Sequence, residues 1–288
     1  MRRAILLVLL VLVGCGSTPE AAAPVPRVEV DPAAIREAWA KRTERLERLW
    51  ARVTVVVDTV DEEGKPVKEQ AEGHLQIEQP RGVSLTLGKL GENYLYLGSN
   101  DERYWWIDRV DSDRRYAVTG LHELITSRKA EALGVPVHPL ELIEFMGIKP
   151  LPEDAEFVPG AEPGTIEVVR SLATGSLTWV LDAVTATPNR VVVKAPDGSV
   201  SISARHEAYQ FARVRDDLRI RPRVPGRVVV EVPELSARVR IALYDPENKP
   251  IRSVAFDYDR LIRGLKIDQV RDLDAASSDA GNTEGYLP

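Results

Sequence analysis

The residues able to carry out chemistry are few and widely spaced. Cys15 is the only cysteine in 288 residues, and there are four histidines, His74, His122, His138 and His206. His122-Glu123 opens like the helix of a zinc protease, but position 126, where the second imidazole is needed, holds Thr126. His138 with Glu141, and His206 with Glu207, have no third ligand at a spacing that would close a tetrahedral site. The four histidines therefore read as surface or hydrogen-bonded structural residues, and no metal or cofactor is expected. The sequence contains no Gly-x-Ser-x-Gly elbow, no phosphate-binding loop and no Gly-x-Gly-x-x-Gly after a strand. The carboxylates between Asp108 and Arg115 alternate with arginines, which reads as a solvated hairpin face rather than a catalytic pair. No catalytic residue is expected; a hydrolase whose site leaves no local signature is the third and weakest reading.

Cys15 is better explained by its neighbours. Met1-Arg2-Arg3 precedes an unbroken apolar run from Ala4 to Val13, the charged and apolar parts of a secretory signal, which is too short for the roughly 20 residues of a membrane span. The run ends in Leu12-Val13-Gly14-Cys15, which resembles the lipobox cut by lipoprotein signal peptidase. The resemblance implies removal of residues 1–14, acylation of the Cys15 sulfur, and anchoring to a membrane by two or three acyl chains at about 0.8 kcal/mol per buried CH₂. The alternative is that Cys15 is one apolar residue of a signal cut elsewhere. An acylated sulfur would leave no thiol for a disulfide, a nucleophile or a cysteine metal site. Gly16 is not the Asp that retains some lipoproteins in the inner membrane, so the expected location is the periplasmic face of the outer membrane.

Without residues 1–14 the chain has 36 Lys and Arg against 44 Asp and Glu, a net charge of about −8, which argues against a nucleic-acid partner. Residues 15–30, small and proline-rich, read as a flexible tether. Residues 31–271 are expected to form one domain, and 272–288, rich in Asp, Ser, Gly and Asn, a disordered tail.

Asp31-Pro32 is a helix start, and Ile35, Trp39, Thr43, Leu46, Trp50 and Val53 follow at spacings of three and four, predicting a helix of about five turns. The period then falls to two. Strands are expected around Val53–Val57, Val67–Ile77, Val83–Leu87, Tyr94–Leu97 and Tyr104–Ile107, an antiparallel meander with turn residues between its members. Two helices are predicted at Thr119–Leu133 and Pro139–Met146. Strands resume at Thr165–Arg170, Leu177–Asp182, Arg190–Lys194, Val200–Phe211, Arg227–Val232 and Ala237–Tyr244, with a short helix near Tyr258–Leu265.

This order of elements resembles the LolA/LolB superfamily of periplasmic lipoprotein carriers and outer-membrane receptors. Leu46 to Val55, running into Glu72 to Gly82, is similar to the family's helix-then-strand opening, and Leu177 to Val200 is similar to its pair of hairpins, with Asp182, Pro188, Arg190, Asp197 and Gly198 at the matching places. The resemblance implies a mainly β (α+β) fold: a large curled antiparallel sheet, an open half-barrel of about 11 strands, with a long N-terminal helix and a helical lid over an apolar cavity. It further implies binding of lipid or lipoprotein acyl chains. The chain's own anchor favours a fixed receptor over a soluble shuttle.

The inward residues of the early strands, Val55, Val57, Leu75, Ile77, Leu85 and Leu87 with Trp105 or Trp106, are the candidates to line such a cavity; the competing reading is that they simply fill a core. The aromatic cluster Tyr94, Tyr96, Tyr104, Trp105 and Trp106 reads either as a recognition surface or as cross-strand pairing. The alternative function is a structural envelope lipoprotein with a filled core that binds a protein or glycan partner on its outer face.

Overall fold

The computed structural model describes residues 30–61, 63–110, 115–124, 138–172 and 175–275. Cys15, the signal, nearly all of the tether, residues 125–133 of the first predicted insertion helix and residues 276–288 lie outside them.

Asp31 caps helix α1 (Pro32–Arg42) by accepting from the backbone N–H groups of Ala33 and Ala34 at 2.9 and 3.2 Å, with Pro32 in the first turn. The helix stops after three turns instead of five. Thr43 closes it, Arg45 takes a positive φ of 61°, and Arg48 begins strand β1 (Arg48–Val60). Leu49, Ala51, Val53 and Val55 are all buried at a spacing of two, so the bulky residues that fit a helical period on paper satisfy the strand period in the fold.

A meander follows: β2 (Pro66–Glu78), β3 (Gly82–Lys89), β4 (Glu92–Ser99), β5 (Arg103–Asp108) and β6 (Tyr116–Leu121), each pairing antiparallel with the one before. Strand β6 replaces the beginning of the helix predicted from Thr119. Ala117 and Val118 are both buried, the first in a cluster with Tyr258, Leu261 and Leu265 and the second in one with Tyr104, Trp106 and Leu273, so the segment shows no alternation. Helix α2 (Pro139–Met146) forms where predicted. Then come β7 (Glu156–Pro159), β8 (Thr165–Leu172), β9 (Gly175–Asp182), β10 (Pro188–Lys194) and β11 (Val200–Glu207). The predicted strand to Phe211 breaks at Ala208, whose φ is +53°, and Gln210–Phe211 (β12) pairs separately with Arg223–Val224 (β14). Arg213–Val214 (β13) adds in parallel to β16 (Ala237–Asn248), which pairs with β15 (Arg227–Val232). Helix α3 (Tyr258–Leu265) and β17 (Gln269–Asp272) end the described chain. Pairing continues past residue 271: the N–H groups of Leu273 and Leu121 bond to Thr119 O and the Asp274 carboxylate.

The strand order β17-β6-β5-β4-β3-β2-β1-β16-β15-β11-β10-β9-β8-β7 describes two meanders joined where β1 meets β16, a mainly β fold with one open 15-stranded sheet once β13 is included. The sheet must curl. Helix α2 packs on β3 and β4, while the carbonyl of its Phe145 meets the His206 ring of β11. Strands β4 and β11 are six places apart in that order, about 29 Å on a flat sheet, whereas an eight-residue helix is about 12 Å long.

Helix α1 closes one end of the curl. Ile35, Trp39 and Arg42 share its buried face. Trp39 Nε1 donates to Lys149 O at 2.9 Å, Arg36 donates to Leu151 O and Glu153 O at 3.2 and 3.1 Å, and Arg42 donates to Gly147 O at 2.5 Å and Arg223 O at 3.2 Å. Burial lowers the Arg42 pKa to about 10, so it stays cationic at neutral pH, with its guanidinium over the Trp39 ring. His138 caps α2, its Nδ1 accepting from Leu140 N–H at 3.1 Å, and burial beside Tyr104 pushes its pKa down to about 3.

Arg42→Ala leaves two buried carbonyls without donors and should cost about 2–4 kcal/mol in urea unfolding, with Arg42→Lys recovering only part of the loss. The His138 contribution to stability should be complete above the unfolded pKa of about 6.5 and fall away as the pH drops toward 3, because the unfolded ring takes up a proton that the folded ring refuses. The urea midpoint of His138→Asn, which can still cap α2, should therefore decline less between pH 6.5 and 4 than that of the parent.

Candidate functional site

The register fixes which side chains share the inner face and at what depth. Leu49, Ile77, Val83, Ser99 and Tyr104 form one cross-strand row, and Ala51, Leu75, Leu85, Leu97 and Trp106 the next. Beyond them lie the row Leu243, Val53, Gly73, Leu87 and Leu95, then Val228, Ile241, Val55 and Ala71, then Val230, Val239, Val57 and Glu69. The deepest rows meet the helices and are filled. The outer rows bound an open cleft of about 1520 Å³, which contains Val55, Val57, Leu85, Leu87, Leu97, Trp106, Val230, Val239 and Ile241, with Leu142 of α2 among its lining residues. Its volume exceeds the roughly 300–1,000 Å³ of pockets for drug-sized ligands.

Of the residues singled out from the sequence, Val55, Val57, Leu85 and Leu87 lie on this cleft. Leu75, in the same row as Leu85, and Ile77, one row deeper, belong to the filled core, with 1 % and 0 % exposure. Trp106 lines the cleft; Trp105 points to the outer face, where it packs on Tyr258 of α3 at 5.6 Å between ring centroids. Gly98 lies opposite Trp105 in the β4–β5 register, and a Cβ there would lie 2.5 Å from the indole, so the ring uses the glycine as a seat. A smaller cavity of about 420 Å³ lies on that outer face, floored by Trp50, Tyr96 and Trp105 and roofed by residues 249–255, with the Lys249 ammonium 3.3 Å from the Trp50 ring centroid.

The mouth of the large cleft is polar. Lys89 forms an ion pair with Glu69, and Glu92, Asn93, Arg109 and Arg115 complete the charged and amide rim. Between them, the exposed Val60, Val110 and Leu235 bring apolar side chains from three hairpin ends to the same opening. The two arginines were hidden in the sequence by the charge alternation of the Asp108–Arg115 run.

His74 stacks on Trp50 at 5.3 Å; His122 Nε2 lies 2.8 Å from Asn100 O; and the His206 ring sits between the carbonyls of Phe145 and Pro188, with burial lowering its pKa. Among the described residues no three His, Cys, Asp or Glu side chains converge as metal ligands, and no helix is long and apolar enough to cross a membrane.

No protein-family model and no curated relative matches the sequence. Among solved structures, the chain is similar to a LolA superfamily protein from Nitrosomonas europaea, with a TM-score of 0.51 at 12 % identity over 81 % of this chain and all of that one. The fold is LolA-like. Weaker likenesses are to an outer-membrane lipoprotein-sorting protein domain from Vibrio parahaemolyticus (TM-score 0.47, 11 % identity, 79 % of this chain and 97 % of that one) and to a DUF1329 family protein from Desulfovibrio piger (0.46, 10 %, 81 % and 100 %). The LolA-like half-barrel agrees with the architecture expected from the order of strands and helices, with more strands than the alternation alone predicts and most of them longer.

The cleft wall depends on a glycine. A Cβ at Gly73 would lie 1.8 Å from Thr86 O, so β2 and β3 approach there more closely than any side chain allows. Gly73→Ala should force the two strands apart and lower stability by about 2 kcal/mol or more, read as a shift in the urea midpoint.

Proposed function

We propose that the chain is an envelope lipoprotein, anchored through acylated Cys15 and held off the membrane by residues 15–30, whose cleft shelters the acyl chains of a lipid or lipoprotein without catalysing a reaction. Its place on this reading is the periplasmic face of the outer membrane, in a carrier or receptor role. The observation that carries the proposal is the open apolar cleft of about 1520 Å³ on the inner face of the sheet. The apolar side chains that line it give an acyl chain a wall to pack against away from water. Burial at roughly 25 cal/mol per Å² holds an acyl chain with no specific polar contact, so selectivity for chain length or headgroup is not needed for affinity. The LolA-like fold supports the reading.

The test is to produce residues 16–288 in a periplasm, purify them without detergent, and look for co-extracted lipid by mass spectrometry. Stoichiometric phospholipid or acyl chain is the expected result. Val57→Asp and Val239→Asp, a facing pair near the mouth, should each reduce the bound lipid at least tenfold while leaving the urea midpoint nearly unchanged. A stable, ligand-free parent protein would overturn the proposal and favour a structural lipoprotein that meets a protein or glycan partner on its outer face.

A further inference from the structure

Once the charges around the cleft are paired off among the described residues, a cationic excess is left at one place. Lys89 is neutralised by Glu69, and Glu92 is the other rim carboxylate. Arg109 and Arg115 both line the mouth, half-buried, and neither has an acidic partner among the described residues. The Nε of Arg109 is buried without a hydrogen-bond acceptor. A desolvated guanidinium N–H left unmatched is costly, and an anion placed against it would recover that cost.

The two arginines are held in position by their own backbones. They follow and precede the paired residues Asp108 and Tyr116, at the loop end of the β5–β6 hairpin. Arg109 N–H donates to Tyr94 O of β4 at 2.7 Å, and Arg115 O accepts from the N–H groups of Asp268 and Gln269, the latter the first residue of β17. Both stems are therefore tied to neighbouring strands while the guanidinium groups remain available to the cleft. Below them the wall turns apolar at once, with Trp106, Leu87 and Val57. A molecule satisfying both halves of this environment is an amphiphile with an anionic head at the mouth and chains toward Leu142.

We propose that Arg109 and Arg115 form a headgroup site that selects amphiphiles whose phosphate-bearing head has a net negative charge. The planar guanidinium matches two phosphate oxygens at once, and a head without a compensating ammonium is drawn more strongly to the two cations. The inference rests on the acyl-chain reading of the cleft and adds what that reading leaves open, the chemistry of the head.

Every described element lies within residues 30–275, so residues 16–288 carry the whole fold and serve for the test. Calorimetric titration compares dioctanoyl phosphatidylglycerol with dioctanoyl phosphatidylcholine, both as monomers, for the parent and for the Arg109→Gln, Arg115→Gln double variant. The expected result is a Kd about tenfold lower for the glycerol lipid in the parent, with that difference lost in the double variant and the urea midpoint unchanged. Equal affinity for the two lipids in the parent, or a preference that survives in the double variant, overturns the headgroup site while leaving the acyl-chain cleft standing. Binding of neither lipid overturns the acyl-chain reading itself. Inorganic phosphate should not displace the glycerol lipid at equal concentration; displacement would make the site one for free phosphate and overturn its assignment to an amphiphile.

Discussion

The pairing of β1 with β16 brings together segments nearly 190 residues apart, facing Val53, Val55 and Val57 with Leu243, Ile241 and Val239. Everything else hangs from that seam. On one side β2 to β6 extend outward, on the other β15, β11 and the strands back to β7, and each half is a chain of local hairpins that exposes an apolar face until the other half supplies the facing wall. Local hairpins form early, whereas the seam requires a long loop to close before its contacts can repay the entropy. The inner face exists as a single surface only once that closure has occurred.

Helix α1 then decides how much of this surface is solid. Its hydrogen bonds run from side chains to the backbone carbonyls of residues 147–153, so it fixes the stretch that follows α2 and keeps that short helix seated across the deep rows of the sheet. Rows under the helices are packed to near-zero exposure, and rows beyond Leu142 stay open. The same strands thus serve as core at one end and as cleft wall at the other, with no change in the kind of residue they carry.

That continuity explains what was legible in the sequence. Alternation gave the strands from β2 to β5 and from β8 to β11, and it gave the face on which Val55, Val57, Leu85 and Leu87 sit. Burial along a strand has no sequence signal, so Leu75 and Ile77, fully buried, look the same as Leu85 and Leu87, which reach the cleft. Trp105 and Trp106 are adjacent, and assigning the right one to the inner face needs the register with Gly98. The long helix was overread because Leu46, Trp50 and Val53 fit both periods, and β6 was missed because burial on both faces erases alternation. Arg109 and Arg115 are ordinary surface residues by composition; only the curl of the sheet and the end of a hairpin bring them to the mouth.

Strand length also varies across the sheet in a way that matters beyond the cleft. The strands at the seam run to 13 residues, while the two borders, β7 and β17, have four each, and β7 ends in Pro159, which has no N–H to offer. A broad open sheet with long straight borders would template further copies of itself, strand upon strand. Here the margins taper until little hydrogen-bonding capacity remains, so the architecture can stay open along its length, as access to the inner face demands, without becoming a seed for polymer growth.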